Sequence, residues 1–213
     1  MKPRMAMSRD PLDRLRDAVL EHYREGSRGA DAAAAMLRRV ITRAEAAPRA
    51  ASIEAARVLP VRQWLATALS EASSGPFNAT GTALGAAELQ LAWLQNPNYP
   101  VSRMGAGFVA GYGYVELVGP ERTFRSNDVR IGFLLLAPGI HYPDHAHAAE
   151  ETYHVVAGTA DWWREGDGWT KAPAGTMIHH APHVRHAMRA GTAPMLALYA
   201  WIGEVGPPAD LTQ

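Results

Sequence analysis

Histidine is crowded into one stretch of this chain. Eight of the nine fall between positions 141 and 186, and only His22 lies elsewhere. In extended backbone, side chains at i and i+2 share a face, so His145 and His147 point the same way, and Glu151, Tyr153 and Val155 share a face as well. Two imidazoles and a carboxylate converging inside a β-structure make an N/O donor set for one divalent ion, with Zn, Mn or Fe among the metals such ligands accept. Two histidines and one carboxylate also leave coordination positions open for chemistry. A further histidine is expected from a later strand. Across residues 183–189, Arg185 and Arg189 take the solvent parity while Val184, His186 and Met188 form the apolar face, so His186 points inward and His183 is the weaker candidate. His141, His154, His179 and His180 read as surface or supporting groups.

The surrounding sequence says what kind of scaffold holds this cluster. From about Phe108 the chain breaks into short β-rich segments punctuated by Gly and Pro, the pattern of a sandwich or barrel. Strands are predicted at 108–118, 129–137, 151–157, 159–165, 168–172, 175–179, 184–189 and 194–202, with turns at Gly158 and at residues 165–168. Residues 10–96 differ: they are rich in Ala, Leu, Arg and Glu, which lose little entropy in a helix. Asp10 caps a helix that opens on Pro11 and ends near Gly26. Further helices are predicted from about Asp31 to Ala46, from about Ala51 to Ala72 with a break at Pro60, and from Thr82 to Gln95. The reading is mainly β with a helical N-terminal region, residues 1–105 being a helical layer packed on a barrel of residues 106–213. The Ala and Leu stripes of the helices either pack on that barrel or build a homodimer interface.

Composition removes other classes. With 21 basic and 21 acidic side chains and no run of like charge, nothing points to a nucleic-acid partner. The absence of cysteine excludes thiolate zinc sites, disulfides and cysteine nucleophiles. Apolar runs fall far short of the ~18 residues a membrane helix needs. The opening stretch is too charged for a secretory signal, which predicts a cytoplasmic location.

The spacing Gly139, five residues, His145-x-His147, three residues, Glu151, six residues, Gly158 resembles the first motif of the cupin superfamily at each position. The second motif is partly present as Pro173-x-Gly175 with His186 eleven residues beyond the glycine. A cupin is a double-stranded β-helix, a jelly-roll-like barrel, holding a mononuclear metal. More narrowly, Tyr142, Pro143, His145, His147, Glu150, Glu151, Tyr153 and the run to Gly158 resemble the cupin dimethylsulfoniopropionate lyases of the DddL and DddQ types. That resemblance implies metal ligands at His145 or His147, Glu151 and His186, Tyr153 at or near the metal, and Tyr142 and Trp201 lining the substrate pocket.

The implied substrate is a small sulfonium zwitterion, cleaved by β-elimination to dimethyl sulfide and acrylate. Such chemistry needs a base for a weak carbon acid and a Lewis acid on the neighbouring carboxylate. Tyr153 is the expected base, since a nearby divalent cation favours the phenolate, and Tyr142 is the alternate. Aromatic faces attract a sulfonium, and Trp163, Tyr199 and Trp201 are the candidates, although alternation lets only one of Trp162 and Trp163 face inward. Other metal-dependent cupin chemistry, such as that of an Fe(II) dioxygenase or an isomerase, and a non-catalytic metabolite-binding cupin are the alternative readings.

Overall fold

A computed structural model describes residues 10–50 and 57–212. The first six residues of the third predicted helix, 51–56, lie outside the described residues. Helix α1 (Pro11–Gly26) begins where the sequence places it, with the Asp10 carboxylate accepting from the Leu12 N–H at 2.9 Å. Helix α2 (Ala32–Ala46) is capped in the same way by Asp31, which accepts from the Ala34 N–H at 2.8 Å. Both caps satisfy amides that a helix start leaves orphaned. Pro60 opens a 3-10 turn, Pro60–Trp64, that runs into α3 (Leu65–Ser74).

Two of the predicted elements depart from the sequence reading. The fourth helix, α4, spans Asn78–Ala87, and Trp93–Leu94, expected inside it, form strand β1 instead. β1 pairs with β2 (Tyr112–Gly119) through Trp93↔Val115 and Leu94↔Tyr114, and Trp93 is almost wholly buried there. Cross-strand pairing and burial of a large side chain outweigh a modest helical propensity. Residues 108–111, expected as strand, belong to α5 (Val101–Gly111), which is broken at Gly105 by a positive φ. A short apolar run suits either state, and packing of Phe108 against Tyr112 decides it.

The remaining strands are β3 (Phe124–Arg125), β4 (Val129–Leu136), β5 (His141–Ala146), β6 (Glu150–Ala157), β7 (Thr159–Arg164), β8 (Gly168–Pro173), β9 (Met177–His180), β10 (His186–Ala190), β11 (Met195–Ile202) and β12 (Asp210–Leu211). One sheet has the order β1-β2-β4-β11-β6-β9, with β3 beside β2, and the other runs β12-β5-β10-β7-β8. Their inner faces close on one another as a cupin barrel.

Strand parity separates two cores. Val129, Ile131, Phe133 and Leu135 of β4 and Leu196, Leu198 and Ala200 of β11 pack outward against Leu12, Leu15, Val19 and Leu37 of the helices. Leu134, Leu136, Met195, Ala197 and Tyr199 point into the barrel with Tyr142, Tyr153 and Trp162. The helical layer thus covers the outer face of the larger sheet, which is why β4 and β11 read as continuous apolar runs. Gly158 makes the sharp β6–β7 hairpin: its φ is +78°, and a Cβ there would collide with the Pro194 carbonyl oxygen. Among the described residues no helix is long and apolar enough to cross a membrane.

Candidate metal centre and active-site cavity

Cross-strand register assembles the site around Glu151. In β6 this residue lies opposite Trp201 of β11 on one side and His180 of β9 on the other. In the facing sheet His186 lies opposite His145. Glu151, His180 and His186 are fully buried. The carboxylate Oε2 lies 3.0 Å from His147 Nε2, 3.1 Å from His180 Nδ1 and 3.3 Å from His186 Nε2, while Oε1 accepts the Trp201 indole N–H at 2.5 Å. Burial raises a carboxyl's pKa, but His147, His180 and His186, when they carry a proton toward it, outweigh burial and hold Glu151 well below the usual carboxylate range.

The histidines divide by tautomer. His145, His147 and His186 each place Nδ1 at 2.8–2.9 Å from a main-chain carbonyl two residues away, those of Pro143, Ala149 and Val184. A carbonyl only accepts, so Nδ1 carries the proton and the neutral ring keeps its lone pair on Nε2. In their neutral form His147 and His186 therefore turn lone pairs on the Glu151 oxygen, and His186 Nε2 has no hydrogen-bond partner. Acceptors turned on one another in a dry site repel unless positive charge sits among them. His147, Glu151 and His186 bring ligand atoms within 4.8 Å of one another, an arrangement that could hold one metal ion. The carbonyl tethers are the orienting contacts seen behind metal-bound imidazoles.

His145, the remaining candidate ligand, packs its ring on His186 at 4.1 Å and stands beside the trio without joining it. His183, the weaker candidate, is an exposed turn residue with φ +64° whose backbone N–H donates to the His147 carbonyl.

The candidate base, Tyr153, lies two residues beyond Glu151 on the same face, with its ring 4.9 Å from Trp162 and 6.0 Å from Tyr199. Burial and the adjacent Glu151 carboxylate, with which its hydroxyl interacts, push the phenol well above its ordinary value. Tyr142 stacks on His145 at 4.1 Å and donates to the Tyr99 hydroxyl at 3.3 Å, within a wall that includes Phe108 and Tyr112. Trp201 lies over the His147 ring at 4.1 Å.

Beside Tyr153, Tyr199 and Trp201 opens a cavity of about 290 Å³. Its wall carries Glu116, whose carboxylate is matched by Arg122 at 2.8 Å, Arg130 at 3.0 Å and the Tyr199 hydroxyl at 3.1 Å. Gly132 leaves room for that hydroxyl, which a Cβ would approach to 2.8 Å.

The two adjacent tryptophans separate. Trp163 takes the outer face of β7, under the Arg185 guanidinium, and Trp162 takes the inner face with its N–H on His180. Alternation required one of the pair to face out, and only the sheet's placement says which. Sequence reasoning also did not single out Tyr99, Tyr112 or the Glu116–Arg122–Arg130 group. The period-2 run Tyr112, Tyr114, Glu116 was the available signal, obscured by the misplaced strand start.

Comparison with known proteins bears on this geometry. A profile of the dimethylsulfoniopropionate lyase family matches residues 32–197, most of the chain. The chain belongs to that family. A Cereibacter sphaeroides protein assigned as dimethylsulfoniopropionate lyase DddL is 32% identical over 148 residues, 68% of this chain and 60% of the relative. Dimethylsulfoniopropionate lyase DddQ of Ruegeria pomeroyi is 32% identical over 114 residues, 54% of this chain and 57% of the relative. The chain thus spans about 60% of the length of the curated relatives it matches. A structure from a crystallographic description of the DMSP lyases RdDddP and RnDddQII superposes with a TM-score of 0.77 at 26% identity, covering 95% of this chain and 98% of that one. For this member of the lyase family, helical layer and cupin barrel are therefore parts of a shared architecture.

Proposed function

We propose that this chain is a metal-dependent carbon–sulfur lyase that cleaves dimethylsulfoniopropionate to dimethyl sulfide and acrylate. The observation that carries the reading is the buried set of two imidazole lone pairs and one carboxylate oxygen, with a tyrosine hydroxyl beside it at the edge of a cavity. Family membership supplies the substrate class.

His147, Glu151 and His186 would hold the ion, with His145 as the adjacent fourth imidazole; the donor set suits Zn, Mn or Fe. When bound, the cation supplies Lewis acidity toward the substrate carboxylate and stabilises charge developing next to it. Tyr153 removes the proton α to that carboxylate. The freed pair forms the Cα–Cβ double bond as the Cβ–S bond breaks, so dimethyl sulfide leaves with the sulfur pair and acrylate remains.

Burial and Glu151 hold the Tyr153 phenol protonated, so its basic form depends on added positive charge in the site. Tyr142 and Tyr99 orient the carboxylate end through their hydroxyls. The faces of Trp201 and Tyr199 attract the sulfonium, each contact contributing ~0.5–2 kcal/mol. Glu116 does not compete for the cation, because Arg122 and Arg130 already neutralise it.

The test is headspace detection of dimethyl sulfide, with acrylate in solution, from purified metal-loaded protein under anaerobic conditions. Production that stops with chelator supports the reading. Absence of product with each of Zn, Mn and Fe, together with substrate-dependent O2 uptake in air, replaces it with oxidative cupin chemistry.

A further inference from the structure

His180 contributes no lone pair to the cluster, and its neighbours explain why. An indole N–H can only donate, so the Trp162 Nε1–H, 3.2 Å away, fixes His180 Nε2 as an acceptor. The single ring proton of the neutral imidazole then sits on Nδ1, which donates to Glu151 Oε2 at 3.1 Å. The other oxygen, Oε1, is occupied by the Trp201 N–H. Both nitrogens of His180 are thus committed, and its ring lies flat against His186, 3.8 Å away and inclined by 16°. Trp162, His180 and Glu151 are all at most 2% exposed, so no water competes for these bonds.

We propose that His180 is a positioning residue for the metal centre, set by Trp162 in its Nδ1–H tautomer and aiming Glu151 so that Oε2 serves as a single-oxygen donor. The inference rests on the metal-dependent reading and deepens it. Oε2 has two lone-pair directions: His180 takes one and leaves the other toward His147 and His186. With Oε1 held by Trp201, the carboxylate cannot swing to chelate through both oxygens, which preserves an open coordination position. Trp162 acts through the ring it orients.

The experiment measures Zn2+ and Mn2+ affinity of the purified protein by competition with a chromophoric chelator. Long-range 1H–15N spectra of the histidine rings in metal-free protein accompany it. Wild type should show His180 as the Nδ1–H tautomer. His180→Phe should weaken metal binding by about 10–100-fold, the usual effect of removing an orienting partner. His180→Gln, whose amide can still donate, should recover part of the loss. Trp162→Phe should weaken binding less and let the His180 tautomer average, and the double variant should bind no worse than His180→Phe.

Unchanged affinity in a folded His180→Phe protein, or an Nε2–H ring at His180 in wild type, overturns the proposal. If His180→Phe does not fold, Trp162→Phe decides: wild-type affinity with an unchanged ring spectrum overturns it. Failure of wild type to bind any divalent ion refutes the metal-dependent reading itself, which is a separate result.

Discussion

Between α1 and β6, His22 Nε2 and His154 Nδ1 meet at 2.7 Å among Phe77 and Tyr23. Burial lowers the pKa of His154 from 6.5 to about 3, with His22 adding to the effect, and burial alone lowers that of His22 to about 4. No carboxylate pairs with either ring among their described contacts. The sign follows from linkage: a histidine depressed in the folded state contributes its full stability above the unfolded value of 6.5. It loses that stability as pH falls toward the folded value, because only the unfolded chain takes up protons.

Each ring then costs about 1.4 kcal/mol per pH unit below 6.5. Between pH 7 and 5 the two together remove about 4 kcal/mol, a large share of a typical domain's stability. The assay is urea unfolding of chelator-treated wild type and a His22→Leu/His154→Leu double variant at pH 7, 6 and 5. Histidines elsewhere titrate alike in both proteins and cancel in the difference. The double variant should lose about 4 kcal/mol less than wild type over this range, and each single variant about half of that. An equal pH slope in wild type and double variant would refute the argument.

Other expectations follow from the site and its scaffold. Tyr153→Phe should abolish dimethyl sulfide release while leaving metal content, read by elemental analysis, near wild type; retained turnover removes Tyr153 as base. His147→Ala and Glu151→Ala should lose metal and turnover together, and an active, fully metallated Glu151→Ala protein would contradict the ligand assignment. Trp163→Ala, on the outer face of β7, should leave the KM for dimethylsulfoniopropionate within about twofold, whereas a tenfold rise would return Trp163 to the pocket. Gly158→Val, at a positive φ against the Pro194 carbonyl, should cost about 3 kcal/mol or more in chemical denaturation; a smaller loss would show that the hairpin relaxes.

Much of this architecture was legible along the chain because the signals are local. Asp10 and Asp31 announce helix starts through the hydrogen bonds their own side chains make two or three residues on. The spacing of His145, His147 and Glu151 marked them as candidate donors, which the structure carries on β5, the bend after it and β6. Arg185 and Arg189 gave the parity that turns His186 inward. Local signals failed where two states compete: Trp93–Leu94 and residues 108–111 suit helix or strand until a partner appears. In β5, Pro143 and Asp144 masked the strand that carries His145.

Local signals along the chain thus yield a helical layer ahead of a β-barrel, together with His145, His147, Glu151 and His186 as candidate donors. Only the tertiary structure decided how that cluster divides. His147 and His186 meet Glu151, His145 packs on His186, and His180 is drawn in because β9 registers it opposite Glu151. The choice of Trp162 over Trp163 and the burial of Glu116 among arginines were decided in the same way. The physical reason is that tautomers, register and sheet placement are properties of pairs of segments distant in sequence. Alternation and capping are properties of one segment.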